Sequence, residues 1–292
     1  MMITFNTKLF LSLLCFVIHY YAIAQHSIYE RKALGKISHS KLGEISGIIP
    51  STNYPHHFWI HNDSGDDATI YLIDTLCNVT CQFNLENLKA VDIEDIAWLK
   101  IDDKPYILLA DIGNNKRDRE ILSFYLFEEP NFSTDQTVVM VAKSSIREIK
   151  VRYADKKRDA EAVFVDPVDN QVYIISKRDL RASVFDFKIP PLADHVLTLY
   201  PKLTLPFTFV TAADVSRDGR QILIKTLTHI YQWNRKSTDS MMETLQVYPV
   251  VIPYQVEPQG EAIAFDPNNV DFYTISERPL GLDSYLYRYE KR

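Results

Sequence analysis

Glu161-Ala162-Val163-Phe164-Val165-Asp166-Pro167, followed by Val172-Tyr173-Ile174-Ile175-Ser176-Lys177-Arg178, is the stretch on which the fold reading turns, because it has counterparts elsewhere. Glu44-Ile45-Ser46-Gly47-Ile48, Glu94-Asp95-Ile96-Ala97-Trp98, Ala213-Asp214-Val215-Ser216-Arg217 and Glu261-Ala262-Ile263-Ala264-Phe265 line up with its first half. Asp218-Gly219 and Asp266-Pro267 then match the turn at Asp166-Pro167. The first residues of successive segments lie 50, 67, 52 and 48 positions apart. Extra sequence around Glu129 to Ser145 accounts for the long step. Self-similarity at this period marks a repeat architecture.

Working outward, each segment is followed by a second apolar run, as at Phe58-Trp59-Ile60, Tyr106-Ile107-Leu108-Leu109 and Phe272-Tyr273-Thr274-Ile275. A third, aromatic run comes next, as at Ile70-Tyr71-Leu72, Phe124-Tyr125-Leu126 and Leu286-Tyr287-Arg288. A fainter fourth lies at Val79 to Phe83, Ile146 to Arg152, Val196 to Tyr200 and Leu245 to Val251. Short β-branched and aromatic runs bounded by Asp, Asn, Pro and Gly read as strands. No long amphipathic helix stands out. Four strands per repeat predict an all-β chain folded as a β-propeller of five four-stranded blades. Six is the alternative, if a degenerate blade hides in the long step. The fifth repeat ends one strand short, and Ser27 to Lys32 is expected to supply that strand and close the ring, hiding a sheet edge.

Composition narrows the class. The 292 residues are 46% apolar, with 38 acids against 32 bases and a formal charge of −6. That excludes a disordered chain and argues against a nucleic-acid binder, which carries a basic face. Three Cys exclude a disulfide scaffold. Residues 1–24 read as a signal peptide: Lys8, an apolar run from Leu9 to Ile18, and the small-x-small site Ala22-Ile23-Ala24. Cleavage near Ala24 leaves residues 25–292 as one exported propeller domain, periplasmic or secreted, with no later membrane span. In an oxidising compartment Cys77 and Cys81 read either as a small hairpin disulfide or as two inert thiols.

In a propeller blade the start of the first strand and the end of the second lie on one face, beside the central channel. First-strand starts carry Glu44, Glu94 with Asp95, Asp159 with Glu161, Asp214 and Glu261. Second-strand ends carry His61-Asn62-Asp63-Ser64-Gly65-Asp66, Asp111-Ile112-Gly113-Asn114-Asn115, Ser176-Lys177-Arg178, Lys225-Thr226 and Ser276-Glu277-Arg278. Carboxylates crowded near one axis repel unless a cation sits between them. An oxygen-rich, cysteine-poor setting suits Ca²⁺. The candidate metal ligands are Glu44, Asn62, Asp63, Glu94, Asp111, Asn114, Glu161, Asp214 and Glu261. The same repeated acids also admit an architectural reading, in which they accept loop N–H groups and pair with Lys177, Arg178 and Lys225. Nucleophile-elbow, zinc-protease and phosphate-loop motifs are absent from the sequence.

The ordered set E-I-S-G-I, H-N-D-S-G-D, D-I-E-D-I-A, A-D-I-G-N-N, D-A-E-A-V, S-K-R, T-A-A-D-V-S, Q-G-E-A-I-A and I-S-E spans about residues 40 to 290. It resembles exported bacterial propellers of the SdiA-regulated type and, more distantly, esterase-like phytase and gluconolactonase-type propellers. The wider relatives are commonly six-bladed. The gluconolactonase-type likeness implies an axial divalent metal held by a Glu, Asn and Asp set, with Glu44, Asn62, Asn114 and Asp214 in similar roles. Two functions follow. One is a binding module for a small molecule, glycan or protein at the channel face. The other is a metal-dependent hydrolase of esters, lactones or phosphoesters. In it, Glu94 or Glu161 activates water, and Lys177 and Arg178 offset developing charge.

Overall fold

The computed structural model describes residues 28–64, 68–133, 135–191 and 195–292. The expected signal peptide and Asp66 lie outside the described residues. Five antiparallel blades stand in a ring, so the repeat count of five holds and the six-bladed alternative does not. Blade 1 runs Ile45–Pro50, His57–Asn62, Thr69–Asp74 and Val79–Leu85 from the axis outward. Blade 2 runs Ile93–Ile101, Lys104–Asp111, Leu122–Glu128 and Arg147–Tyr153. Blade 3 comprises Ala160–Val165, Gln171–Ser176, Ser183–Lys188 and the two-residue Leu203–Thr204. Blade 4 comprises Val210–Val215, Gln221–Thr226, Ile230–Asn234 and Val250–Ile252.

Blade 5 contains Ala262–Phe265, Phe272–Ile275 and Tyr285–Lys291, and its outer strand is Tyr29–Lys36 from the other end of the chain. These two strands pair antiparallel from Tyr29 opposite Lys291 to Lys36 opposite Tyr285. Inner strands stay nearly all-buried, as in the pattern of Ala160–Val165, because each packs against both neighbouring blades. Alternating apolar residues of facing blades fill the wedges; Trp59, Phe83, Ile107 and Tyr125 belong to one such cluster between blades 1 and 2.

Three elements differ from the sequence expectation. Val196–Leu199 does not form the outer strand of blade 3; it pairs parallel with Arg147–Tyr153 as a fifth strand of blade 2. Likewise the insertion between Glu129 and Ser145 sends Val138–Val141 to the outer edge of blade 1, parallel to Val79–Leu85. A β-like run carries no label for which sheet it joins. The faint fourth run of repeat four is split into a short helix, Met241–Gln246, and the strand Val250–Ile252. Ser240 starts that helix with a reciprocal cap to Glu243, the arrangement that satisfies first-turn N–H groups. Cys77 and Cys81 are free thiols, both buried. They join different hydrophobic clusters, on opposite sides of blade 1, which separates the sulfurs.

The closing strand is anchored by Tyr29, 3% exposed and edge-on to Phe272 at 4.9 Å between ring centres. Tyr29→Ala is expected to lower unfolding stability by about 3 kcal/mol in urea melts, the range for losing a buried aromatic. Removing residues through Lys36 should expose Tyr285–Lys291 as an edge and shift the protein to oligomers in size-exclusion chromatography.

Candidate functional site

Four of the five inner strands begin with an irregularity at the mouth end of the ladder. The ladder slips between Ile45 and Gly47, Ile93 and Asp95, Ala160 and Ala162, and Val210 and Ala212. The skipped residues are Ser46, Glu94, Glu161 and Thr211, and Glu261 stands at the matching place before Ala262–Phe265. Such bulges re-aim side chains at barrel rims and active sites. Three rim positions therefore carry Glu. The other two carry hydroxyls that tie blades together: Ser46 Oγ donates to Glu94 O at 2.7 Å and Thr211 Oγ1 to Gly260 O at 3.1 Å.

This register corrects two alignments made from sequence. Glu44 is equivalent to Asp92 and Asp159, two residues before the bulge, and not to Glu94. The equivalence is marked by Asp63 N–H donating to Glu44 O, Gly113 N–H to Asp92 O and Lys177 N–H to Asp159 O. Asp214 is also displaced by two, and lies toward the far end of the channel. There Ile49, Trp98, Val165, Asp214, Arg217 and Phe265, drawn from all five blades, line a cavity of only about 20 Å³. Arg217 lies over the Trp98 ring at 4.2 Å, and both bond to Thr52 Oγ1, so this end is stoppered.

At the open mouth the scattered motifs do meet. Lys177 is the central cation, in contact with Glu161 and 3.1 Å from Glu261. Burial opposes its charge, yet Glu161 and Glu261 raise its pKa above that of an ordinary lysine. Single oxygens of Glu94, Asp159 and Glu161 lie within 4.8 Å of one another. Burial, and then repulsion from Glu161 and Asp92, holds the Glu94 carboxyl well above the usual range. Burial also raises Glu161 against the pull of Lys177. Glu277, buried and hydrogen-bonded to Glu261, is pushed to about 9. Asp63 is raised to about 6 by burial and then by Glu44 and Asp92, its Ser64 N–H bond working the other way. Glu44 and Glu277 also line a neighbouring cleft of about 710 Å³.

Gly113 permits this crowding: a Cβ there would come within 2.2 Å of Glu94 Oε1 and 2.3 Å of Asp92 Cγ. Beneath the rim, Lys225 is fully buried, donates to Gly260 O and lies 4.8 Å from the centre of the Tyr254 ring. Burial lowers its pKa to about 8.

Three expected ligands are committed to their own loops. Asn62 accepts from Glu44 N–H and donates to Lys41 O. Asn114 Oδ1 accepts from the N–H groups of Asp118 and Arg119, and its amide donates to Arg119 O. Asp111 accepts from Val91 and Asp92 N–H and pairs with Arg119 at 2.8 Å. Arg178, half-exposed, caps the cluster from its edge by pairing with Asp159 at 2.6 Å. Sequence reasoning underrated Asp95 and missed Asp92. Asp95 sits inside the channel, accepting from Ile96 and Val163 N–H. Asp92 adds an acid at the mouth. The D-x-E spacing shared by 92–94 and 159–161 was the available signal.

The fold and this mouth define a five-bladed propeller with one stoppered and one acidic channel end. No family model matches the chain, and no curated protein matches it. Among solved structures, an auxiliary nutrient binding protein from Bacteroides thetaiotaomicron is similar over 90% of this chain and 77% of that one, at 10% identity and a TM-score of 0.48. Among the described residues no helix is long and apolar enough to cross a membrane.

Burial raises Asp214 to about 7, against an ordinary carboxylate value near 4. Stability tied to its native proton is present below pH about 4 and lost as pH rises through 7. Melting temperature should therefore lose this contribution as pH rises from about 4 to 7 and level off above that, and Asp214→Asn, with no proton to lose there, should reduce that slope.

Proposed function

We propose that this chain is an exported ligand-binding propeller, akin to the SdiA-regulated type, whose acidic channel mouth holds a Ca²⁺ ion and receives a small polar ligand beside it. The observation that carries the reading is the convergence of Glu94, Asp159 and Glu161 within 4.8 Å. Glu44, Asp63, Asp92, Glu261 and Glu277 stand around them, and Lys177 is the one ammonium in contact with Glu161 and Glu261. One buried cation among so many carboxyl groups leaves negative charge to be neutralised by protons or by a second cation. Oxygen donors of this kind fit a hard cation that takes six to eight oxygens. Glu94 and Glu161 would hold it, with Asp159, which accepts from Asn114 N–H and pairs with Arg178, available if Arg178 swings away and Glu261 if Lys177 does. Asn62, Asp111, Asn114 and Asp214 would not, given their loop bonds and depth.

A bound Ca²⁺ would supply a positive charge that polarises a ligand oxygen. The chain's own groups would then orient the ligand: Lys177 and Arg178 toward acceptor oxygens, Asp63 and Glu44 toward hydroxyls. The stoppered far end makes the mouth the way in. A hydrolase reading draws on one feature, the raised pKa of Glu94, which suits a proton donor to a leaving group better than a base.

Thermal melting at pH 8 with Ca²⁺ against chelator tests the metal, since a ligand of the native state must raise the melting temperature. The expected rise disappears in Glu94→Gln and Glu161→Gln. Lys177→Met should melt earlier than wild type in chelator and recover with Ca²⁺, because the ammonium and the ion neutralise the same carboxylates. A flat response in wild type over millimolar Ca²⁺ would remove the ion from the proposal. Turnover of a lactone and phosphoester panel by the wild-type protein, lost in Glu94→Gln, would favour the hydrolase.

A further inference from the structure

We infer that a cleft on the outer part of blade 1, on the face turned away from blade 2, is a second binding site, for a neutral saccharide, separate from the channel mouth. In blade 1 the strand Val79–Leu85 turns Cys81, Phe83 and Leu85 toward blade 2, where they are buried in a shared cluster. Its alternate residues Gln82 and Asn84 face the other way and remain partly exposed. Register extends this polar face across three strands: Thr69, Asn84 and Met140 form one row, and Tyr71, Gln82 and Val138 the next.

Apolar packing against blade 5 covers that face only in part. Tyr71, Ile73 and Cys77 pack with Ile37, Leu42 and Leu286. Beside Thr69 and Asn84 this face instead borders a cavity of about 780 Å³, lined by Thr69, Gln82, Asn84, Asn87, Leu88 and Met140. That volume lies within the range of ligand sites, which combine an apolar wall with a few placed polar groups.

The donor set selects the ligand. Asn84 Oδ1 already accepts from Gln82 Nε2 at 2.7 Å and Thr69 Oγ1 at 3.3 Å, which fixes the amide orientation. The Asn84 amide donors and Gln82 Oε1 have no partner among the described residues. A carboxamide offers a donor and an acceptor side by side, the pattern that neighbouring sugar hydroxyls satisfy. Met140, 59% exposed, gives an apolar surface for a ring's C–H face. Lys41, Lys89 and Glu86 also line the cleft and bring charges of both signs, which does not single out an ionic ligand.

The test is capture of the full protein on an array of immobilised neutral, sialylated and sulfated oligosaccharides, with calorimetry on the best neutral hit. A neutral oligosaccharide should be retained, and Asn84→Ala and Gln82→Ala should each weaken it at least tenfold. Met140→Ala, at an exposed position that leaves the fold intact, should weaken it severalfold. Glu94→Gln should bind it as wild type does, which distinguishes this cleft from the channel mouth. Retention of no neutral oligosaccharide, retention of anionic ones alone, or wild-type affinity in all three cleft variants would overturn the inference. Equal loss in Glu94→Gln would move the saccharide to the mouth and overturn it as well.

Discussion

The ladder between Tyr29–Lys36 and Tyr285–Lys291 is the interaction on which the rest of the molecule depends. It joins the two ends of the described chain in one sheet and turns a row of blades into a ring. Without closure the inner strands have no common axis, and Glu94, Glu161 and Glu261 remain on three separate sheets. With it, three distant peptide segments share one mouth, and Lys177 bridges blade 3 to blade 5 through Glu261.

Closure also creates a problem that the axial acids solve. Inner strands of neighbouring blades run side by side without pairing to one another, which leaves buried N–H groups in need of acceptors. Asp95 of blade 2 reaches Val163 N–H of blade 3 at 2.7 Å, and Asp214 of blade 4 reaches Phe265 N–H of blade 5 at 2.7 Å. Burial raises both carboxyls, so part of their stabilisation comes as neutral acids. The acids of the channel thus divide by depth. Those inside are architecture, and those at the mouth crowd around Lys177, with Arg178 on Asp159.

The errors in the sequence alignment have a single cause. Glu44 and Asp214 were each placed two residues out of register. A one-residue slip would have turned every apolar side chain to the wrong face, but a two-residue slip preserves alternation. Periodicity is therefore blind to it, and an acid two positions away makes an equally good match. The same limit explains Val196–Leu199: its composition shows a strand, while its partner in blade 2 depends on the path of the chain in space. Asn62, Asp111 and Asn114 looked like ligand-rich loops because Asp and Asn also serve as acceptors for loop N–H groups. Only the hydrogen bonds distinguish the two uses.

By itself, the sequence determined the repeat, the all-β class, five blades, the closing strand and the face on which the polar ends gather. These follow from short-range patterning and from the fixed direction of antiparallel strands. Tertiary structure alone decided which carboxyls share the mouth, which end of the channel is stoppered, and that the two thiols lie apart. Each of those depends on register and on distances between residues far apart in the chain, and side-chain alternation carries neither.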